Sequence, residues 1–203
     1  AGVQQWASFY TAPAPGTQKP MSLDVDATGN VYMAGWSVGS GTGLDYLVVK
    51  YNSSGVQQWA SRYNSSGANN DLLFGMDLDS SGNVYVTGYS PVSGTGDDYV
   101  TIRYNTANGS QQWLARYTGV VTNGNDRPVA IVVNGDNVYV TGANGGSYTD
   151  IATLKYSAST GNQQWEIRYN NPDLHNDYAV DLAVGPGNTV YVTGNSRRRT
   201  TTC

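Results

Sequence analysis

Apolar and polar positions alternate along this chain in a pattern that recurs four times. The second occurrence is the clearest. Residues 72–78 (Leu-Leu-Phe-Gly-Met-Asp-Leu) are mostly apolar, as expected of a strand buried on both sides. Asp79-Ser80-Ser81-Gly82-Asn83 is a dense turn signal. Val84-Tyr85-Val86-Thr87-Gly88 follows, rich in the β-branched and aromatic residues that suit a pleated surface. A Gly/Ser-rich loop, Ser90 to Gly96, leads to Tyr99-Val100-Thr101-Ile102-Arg103-Tyr104, which alternates as a half-buried strand does. Asn105 to Gly109 turns the chain again, and Gln111 to Tyr117 makes the last run. Each unit therefore predicts four strands, A to D. Short connections make them an up-and-down antiparallel sheet. No helix is expected: all acidic residues but Glu166 are Asp, a turn former rather than a helix former.

Two markers keep constant phase through the four units. Trp6, Trp59, Trp113 and Trp165 each follow Gln-Gln and are separated by 53, 54 and 52 residues. Val31-Tyr32, Val84-Tyr85, Val138-Tyr139 and Val190-Tyr191 keep the same step, each Tyr 26 residues after a Trp. A period near 50 residues points to a propeller or a solenoid. Solenoid repeats are shorter and lack a hairpin turn every 8–12 residues, so the pattern predicts an all-β fold, a β-propeller of four-stranded antiparallel blades with strand A innermost. One array covers 1–196: strand D of a first blade, three full blades, and strands A and B of a last one. Residues 197–203 form an atypical tail.

The run Asp-x-Asp-x-x-Gly-Asn-Val-Tyr-Val-Thr-Gly, then Asp-Tyr-x-x-x-Lys/Arg-Tyr-Asn, then Gly-x-Gln-Gln-Trp resembles the bacterial SBBP β-propeller repeats over the chain up to about Ser196. The resemblance implies an extracellular or surface-associated interaction module and brings no catalytic residue set with it. Units three and four depart from it in the first turn, with Asn134-Gly135-Asp136-Asn137 and Gly185-Pro186-Gly187-Asn188.

Composition narrows the classes further. The 203 residues are 39% hydrophobic and 13% charged, with sixteen Tyr and five Trp, which suits a folded body with many half-buried aromatics. Net charge is −4, and without Arg197, Arg198 and Arg199 the body carries 15 acidic against eight basic side chains. That argues against a nucleic-acid surface. No run of 18 apolar residues is present, so no membrane span is expected. The one cysteine, Cys203, permits no internal disulfide.

Candidate chemistry is sparse. His175 is the only histidine and lies in a loop, which removes a Ser/His/Asp set and any Cys/His metal spacing. Asp24/Asp26 and Asp77/Asp79 resemble the start of a calcium loop, but Gly-Asn-Val-Tyr follows where further oxygen ligands would be needed, so an Asx-capped turn is the better reading. No metal and no cofactor are expected. Asp71, Asp126 and Asp177 precede strand A, and Asp45, Asp98 and Asp150 precede strand C. These six Asp are expected on one face of a propeller, either as a cation-binding or basic-partner surface or as caps that hold neighbouring blades in register. Trp36 and Tyr89, beside the Gly-rich loops, are the candidate carbohydrate contacts. The four periodic Trp read as packing between outer strands. Lys50, Arg103 and Lys155 on strand C, and Arg62, Arg116 and Arg168 on strand D, read as partners for Asp or as cations stacked on Tyr.

The expected function is a non-enzymatic binding or scaffold module at the cell surface, with a protein or glycan ligand. A lectin with repeated sites and a fragment of a larger propeller are the alternatives. An apolar blade face at each end of an open arc further predicts a homo-oligomer, a dimer closing a larger ring. The tail, Arg-Arg-Arg-Thr-Thr-Thr-Cys, fits nothing in the repeat. Arginine codons of the form CGN, read two bases later, allow Asp-Asp-Tyr-Val there, so a frameshift near Arg197 and an ordinary unstructured tail are both open.

Overall fold

A computed structural model describes residues 2–66, 68–121, 123–171 and 175–196. It contains three four-stranded antiparallel sheets and one two-stranded hairpin. The first sheet is β1 (Gln18–Val25), β2 (Val31–Val38), β3 (Leu44–Tyr51) and β4 (Gln57–Tyr63). The second is β5 (Leu72–Leu78), β6 (Val84–Val92), β7 (Gly96–Tyr104) and β8 (Gln111–Tyr117). The third is β9 (Arg127–Asn134), β10 (Asn137–Asn144), β11 (Asp150–Ser157) and β12 (Gln163–Tyr169). The terminal hairpin is β13 (Asp177–Val184) and β14 (Val190–Ser196). Spatial order follows chain order in every sheet, which is the meander that the short turns dictate.

Each A strand carries a bulge opposite the Gly of Val-Tyr-x-x-Gly: Pro20/Ser22, Leu73/Gly75, Pro128/Ala130 and Ala179/Asp181. The bulge drives a backbone carbonyl onto the B strand. A Cβ at Gly88 would lie 2.1 Å from the Leu72 oxygen, and one at Gly142 would lie 2.3 Å from the Arg127 oxygen. Only glycine allows that approach.

The sheets stack face to face. Tyr32, Ala34, Tyr46 and Val48 of the first interdigitate with Leu73, Met76, Val84, Val86, Val100 and Ile102 of the second. Tyr85 and Tyr99 of the second meet Ile131, Val138, Val140, Ala152 and Leu154 of the third. The A strands of successive units lie against one another, β1 on β5, β5 on β9, and β9 on β13, while no comparable contact joins β4 to β8 or β8 to β12. The sheets therefore fan outward from their A strands.

Three features differ from the sequence expectation. Residues 2–11, expected as a D strand, pair with no strand; they lie on the outer face of the first sheet, where Trp6 and Tyr10 pack on Leu47, Val49 and Tyr51. The C strand they would pair with is not beside them, and a strand without a partner is not a strand. The loop expected over Ser90 to Gly96 is mostly sheet, since β6 and β7 stay paired out to Val92 and Gly96. Among the described residues a single 3₁₀ turn occurs, at Pro186–Asn188, where Pro presets the backbone and Gly187 takes positive φ. The tail at 197–203 lies outside the described residues.

Candidate functional site

Polar chemistry concentrates where one sheet meets the next. At the outer end of the first joint, Trp59 Nε1 and Lys50 Nζ both donate to the Thr106 carbonyl at 3.0 Å, and the Tyr32 hydroxyl meets Thr106 Oγ1 at 2.8 Å. The indole rests on Gly109, whose φ is +72°; a Cβ there would fall 2.7 Å from the Trp59 ring. Ser61 Oγ donates to the Gly109 carbonyl at 2.6 Å. The next joint repeats the device. Trp113 Nε1 donates to Ala158 O at 2.9 Å, the Tyr85 hydroxyl and Arg103 reach the same oxygen at 3.4 Å, and the indole rests on Gly161. Trp6 does the same to Ser53 O, at 3.1 Å, and to Gly55. One Gly-x-Gln-Gln-Trp motif thus serves two joints. Its Gly receives the Trp of the unit before, and its own Trp reaches the unit after.

The second cluster contains the candidate aspartates. Asp45 accepts from Arg62 at 2.8 Å, and Arg62 also binds the Ser37 side chain and carbonyl. Asp98 accepts from Arg116 at 3.2 Å, and Arg116 bonds the Ser90 carbonyl and, across the joint, the Tyr63 hydroxyl at 3.1 Å. The A-strand aspartates bridge units through their backbone: Asp71 N donates to Leu44 O, Asp126 N to Asp97 O, and Asp177 N to Thr149 O, at 2.6, 2.6 and 2.7 Å. Their carboxylates cap local loops. Asp71 accepts from Ser65 N, Asp177 from Asn171 N, and Asp126 from Gly119 N, Gly145 N and Asn144 Nδ2. Asp45, Asp71, Asp98, Asp126 and Asp177 are all buried. Burial pushes the Asp71 and Asp126 carboxyls up, against the hydrogen bonds they accept, with Asp45 and Asp98 respectively adding repulsion. Asp150 departs from the pattern. It is half-buried, and burial followed by the Asp177 charge pushes its carboxyl up. Its expected partner Arg168 binds Glu166 and the Tyr117 hydroxyl instead.

Glu166 is the residue that sequence reasoning passed over. It also accepts from Tyr117 at 2.9 Å, so it ties β12 to β8 across the joint. Its signal was its position beside Trp165, where the other units have Ala7, Ala60 and Leu114.

The hairpin aspartates are turn caps in geometry. Asp26 accepts from Thr28 N and Asn30 N, and Asp79 from Ser81 N and Asn83 N. Burial acts to raise the Asp26 carboxyl, but its bonds from Asn30 and Thr28 together hold it well below the usual carboxylate range. Asp77 accepts instead from Val133 N, at 2.6 Å, in the neighbouring sheet. Among the described residues no three His, Cys, Asp or Glu side chains are grouped to hold a metal ion.

Trp36 and Tyr89 occupy equivalent places on β2 and β6 and are half-buried. Tyr89 stacks on Phe74 with ring centroids 5.6 Å apart, and the Arg127 guanidinium lies 4.7 Å from its ring centre. Arg127 is in turn paired with Asp97 at 2.6 Å. Trp36 lines a groove of about 310 Å³ with Lys19, Pro20, Met33 and Phe9. The structure does not bring Trp36 and Tyr89 into one site. His175 borders a separate hollow with Tyr148 and Tyr178. Comparison with known protein families and with curated proteins finds no match for the chain.

Proposed function

We propose that the chain is a non-enzymatic binding or scaffold module, an arc of β-propeller blades that works outside a bacterial cell. The fan of alike sheets with converging A strands supports the propeller. The SBBP resemblance supports the location. The observation that carries the binding reading is the Phe74–Tyr89–Arg127–Asp97 set: a stacked aromatic pair under a half-exposed cation. Such a surface suits a ligand with a flat or apolar face and a hydrogen-bonding rim. A protein ligand is the first reading. A glycan is the second, favoured by Trp36 in its groove.

A glycan array combined with a surface-protein pull-down, run on the chain and on Tyr89→Ala and Trp36→Ala, tests this. Protein capture lost with Tyr89→Ala supports the first reading, and array binding lost with Trp36→Ala supports the second. Capture and array signals that neither substitution changes would remove both residues from the proposal.

A further inference from the structure

Tyr139, Lys155 and Trp165 form one row across β10, β11 and β12. The same row is Tyr32, Lys50 and Trp59 in the first sheet, and Tyr85, Arg103 and Trp113 in the second. In those two sheets all three donors converge on one turn of the next unit, at Thr106 and at Ala158. The third row meets no such turn among the described residues. Lys155 Nζ and the Trp165 ring centre lie 5.8 and 6.0 Å from the Tyr139 ring centre, and the buried Tyr139 hydroxyl has no hydrogen-bond partner among the described residues. Beside the row runs an apolar groove of about 390 Å³, lined by Ile151, Ile167, Tyr169, Val190 and Val192. Its wall is β14, whose outer edge pairs with no strand among the described residues.

We propose that this row, groove and edge form the docking site for a β-hairpin of the same repeat chemistry, a C strand and a D strand from outside residues 2–196. Its first strand would read Asp-Tyr-x-x-apolar-Lys/Arg-Tyr and add to β14, an edge with unpaired amides and carbonyls. The β6–β7 register sets the alignment, placing the final Tyr opposite Val190 and the Asp opposite Ser196. Its turn presents one carbonyl to the three donors and a positive-φ Gly to the Trp165 ring. Its second strand begins Gln-Gln-Trp and covers Ile167. A second copy of this chain is a poorer occupant. Its own hairpins of this kind are held inside its sheets, and the Gln-Gln-Trp of its residues 2–11 is already packed on its first sheet. The Arg-Arg-Arg-Thr-Thr-Thr run at 197–202 carries none of the required pattern. The inference rests on the repeat geometry and is independent of any ligand at Tyr89 or Trp36.

The test is a labelled synthetic peptide with the sequence of residues 97–118, titrated into the 203-residue chain and followed by fluorescence anisotropy. Saturable one-to-one binding is expected. Gly109→Val in the peptide, and Trp165→Ala in the chain, should each weaken it at least ~10-fold. Gln58→Ala, at an exposed position away from the row, should leave it unchanged. If circular dichroism shows Trp165→Ala unfolded, Lys155→Met, which removes the cation at the middle of the row, is read in its place. Absence of saturable binding at millimolar peptide overturns the proposal, as does binding that survives the substitutions. Self-association that excludes the peptide overturns it in favour of a second copy.

Discussion

Val-Tyr-Val-Thr-Gly occurs three times, at 84–88, 138–142 and 190–194, and each copy is the second strand of its unit. Tyr85 and Tyr139 are 1% exposed, whereas Tyr191 is 61% exposed. The local structure is the same in all three, down to the bulge opposite the glycine. What differs is the surroundings. β6 and β10 have a C strand on one side and a sheet or hairpin over each face, while among the described residues β14 has β13 alone beside it. Identical sequence therefore specifies the strand, and the neighbouring unit specifies whether the strand is core.

The largest effects should come from substituting equivalent residues on the two sides of this comparison. Tyr85→Ala is expected to cost ~3–5 kcal/mol of stability and Tyr191→Ala under about 1 kcal/mol, read by urea denaturation. Similar losses would mean that β14 is covered in solution. The indole locks should divide the same way. Trp113→Ala removes a buried ring and its bond to Ala158, at a cost of ~3–5 kcal/mol. Trp165→Ala removes a half-buried ring with no such bond and should cost about 1 kcal/mol.

Glycine substitutions sharpen the point by separating backbone strain from packing. Gly109 and Gly135 both have positive φ, but only Gly109 has a ring against it. Gly135→Ala should cost about 1 kcal/mol, the strain alone, and Gly109→Ala about 3 kcal/mol, because the Trp59 ring must also move. Equal costs would remove the indole from the account of the turn.

The smallest effect is a pH dependence. Asp71 and Asp126 have raised carboxyl pKa values in the fold, so the folded chain holds those protons more tightly than the unfolded chain does. Their contribution to stability grows as pH falls from neutral through the raised values toward 3.8, the unfolded reference. Asp26 is depressed and acts in the opposite sense: its contribution is present above 3.8 and is lost as pH falls below it. Melting temperatures measured from neutral pH to about pH 4 should therefore rise for the parent chain, and Asp71→Asn should flatten the rise. A steeper rise in the variant would contradict the assignment.

The strands were legible in the sequence because their signals are local: Val-Tyr-x-x-Gly, the Asx turns and the alternation of the C runs. The stacking of alike sheets was legible from the phase of the markers. The locks were not. Trp59 and Thr106 lie 47 residues apart and belong to different units. The aspartates stand at the starts of strands A and C, and the strand pattern does not tell whether a loop carboxylate turns outward or folds back to cap the joint. In the structure five of the six fold back. Residues 2–11 show the converse limit, since a strand-like pattern needs a partner strand that a local reading does not supply. Glu166 escaped because its partner Tyr117 belongs to the sheet before.

Amide hydrogen exchange, resolved by residue, tests most directly the claim that the neighbouring unit decides what is core. Val138–Gly142 and Val190–Gly194 have the same side chains and the same turn-side partner strand. The account predicts protection at 138–142 close to that of global unfolding, and at 190–194 at least ~100-fold weaker. Equal protection in the two pentapeptides, with the chain monomeric and alone, would show that β14 is already enclosed and would contradict the account.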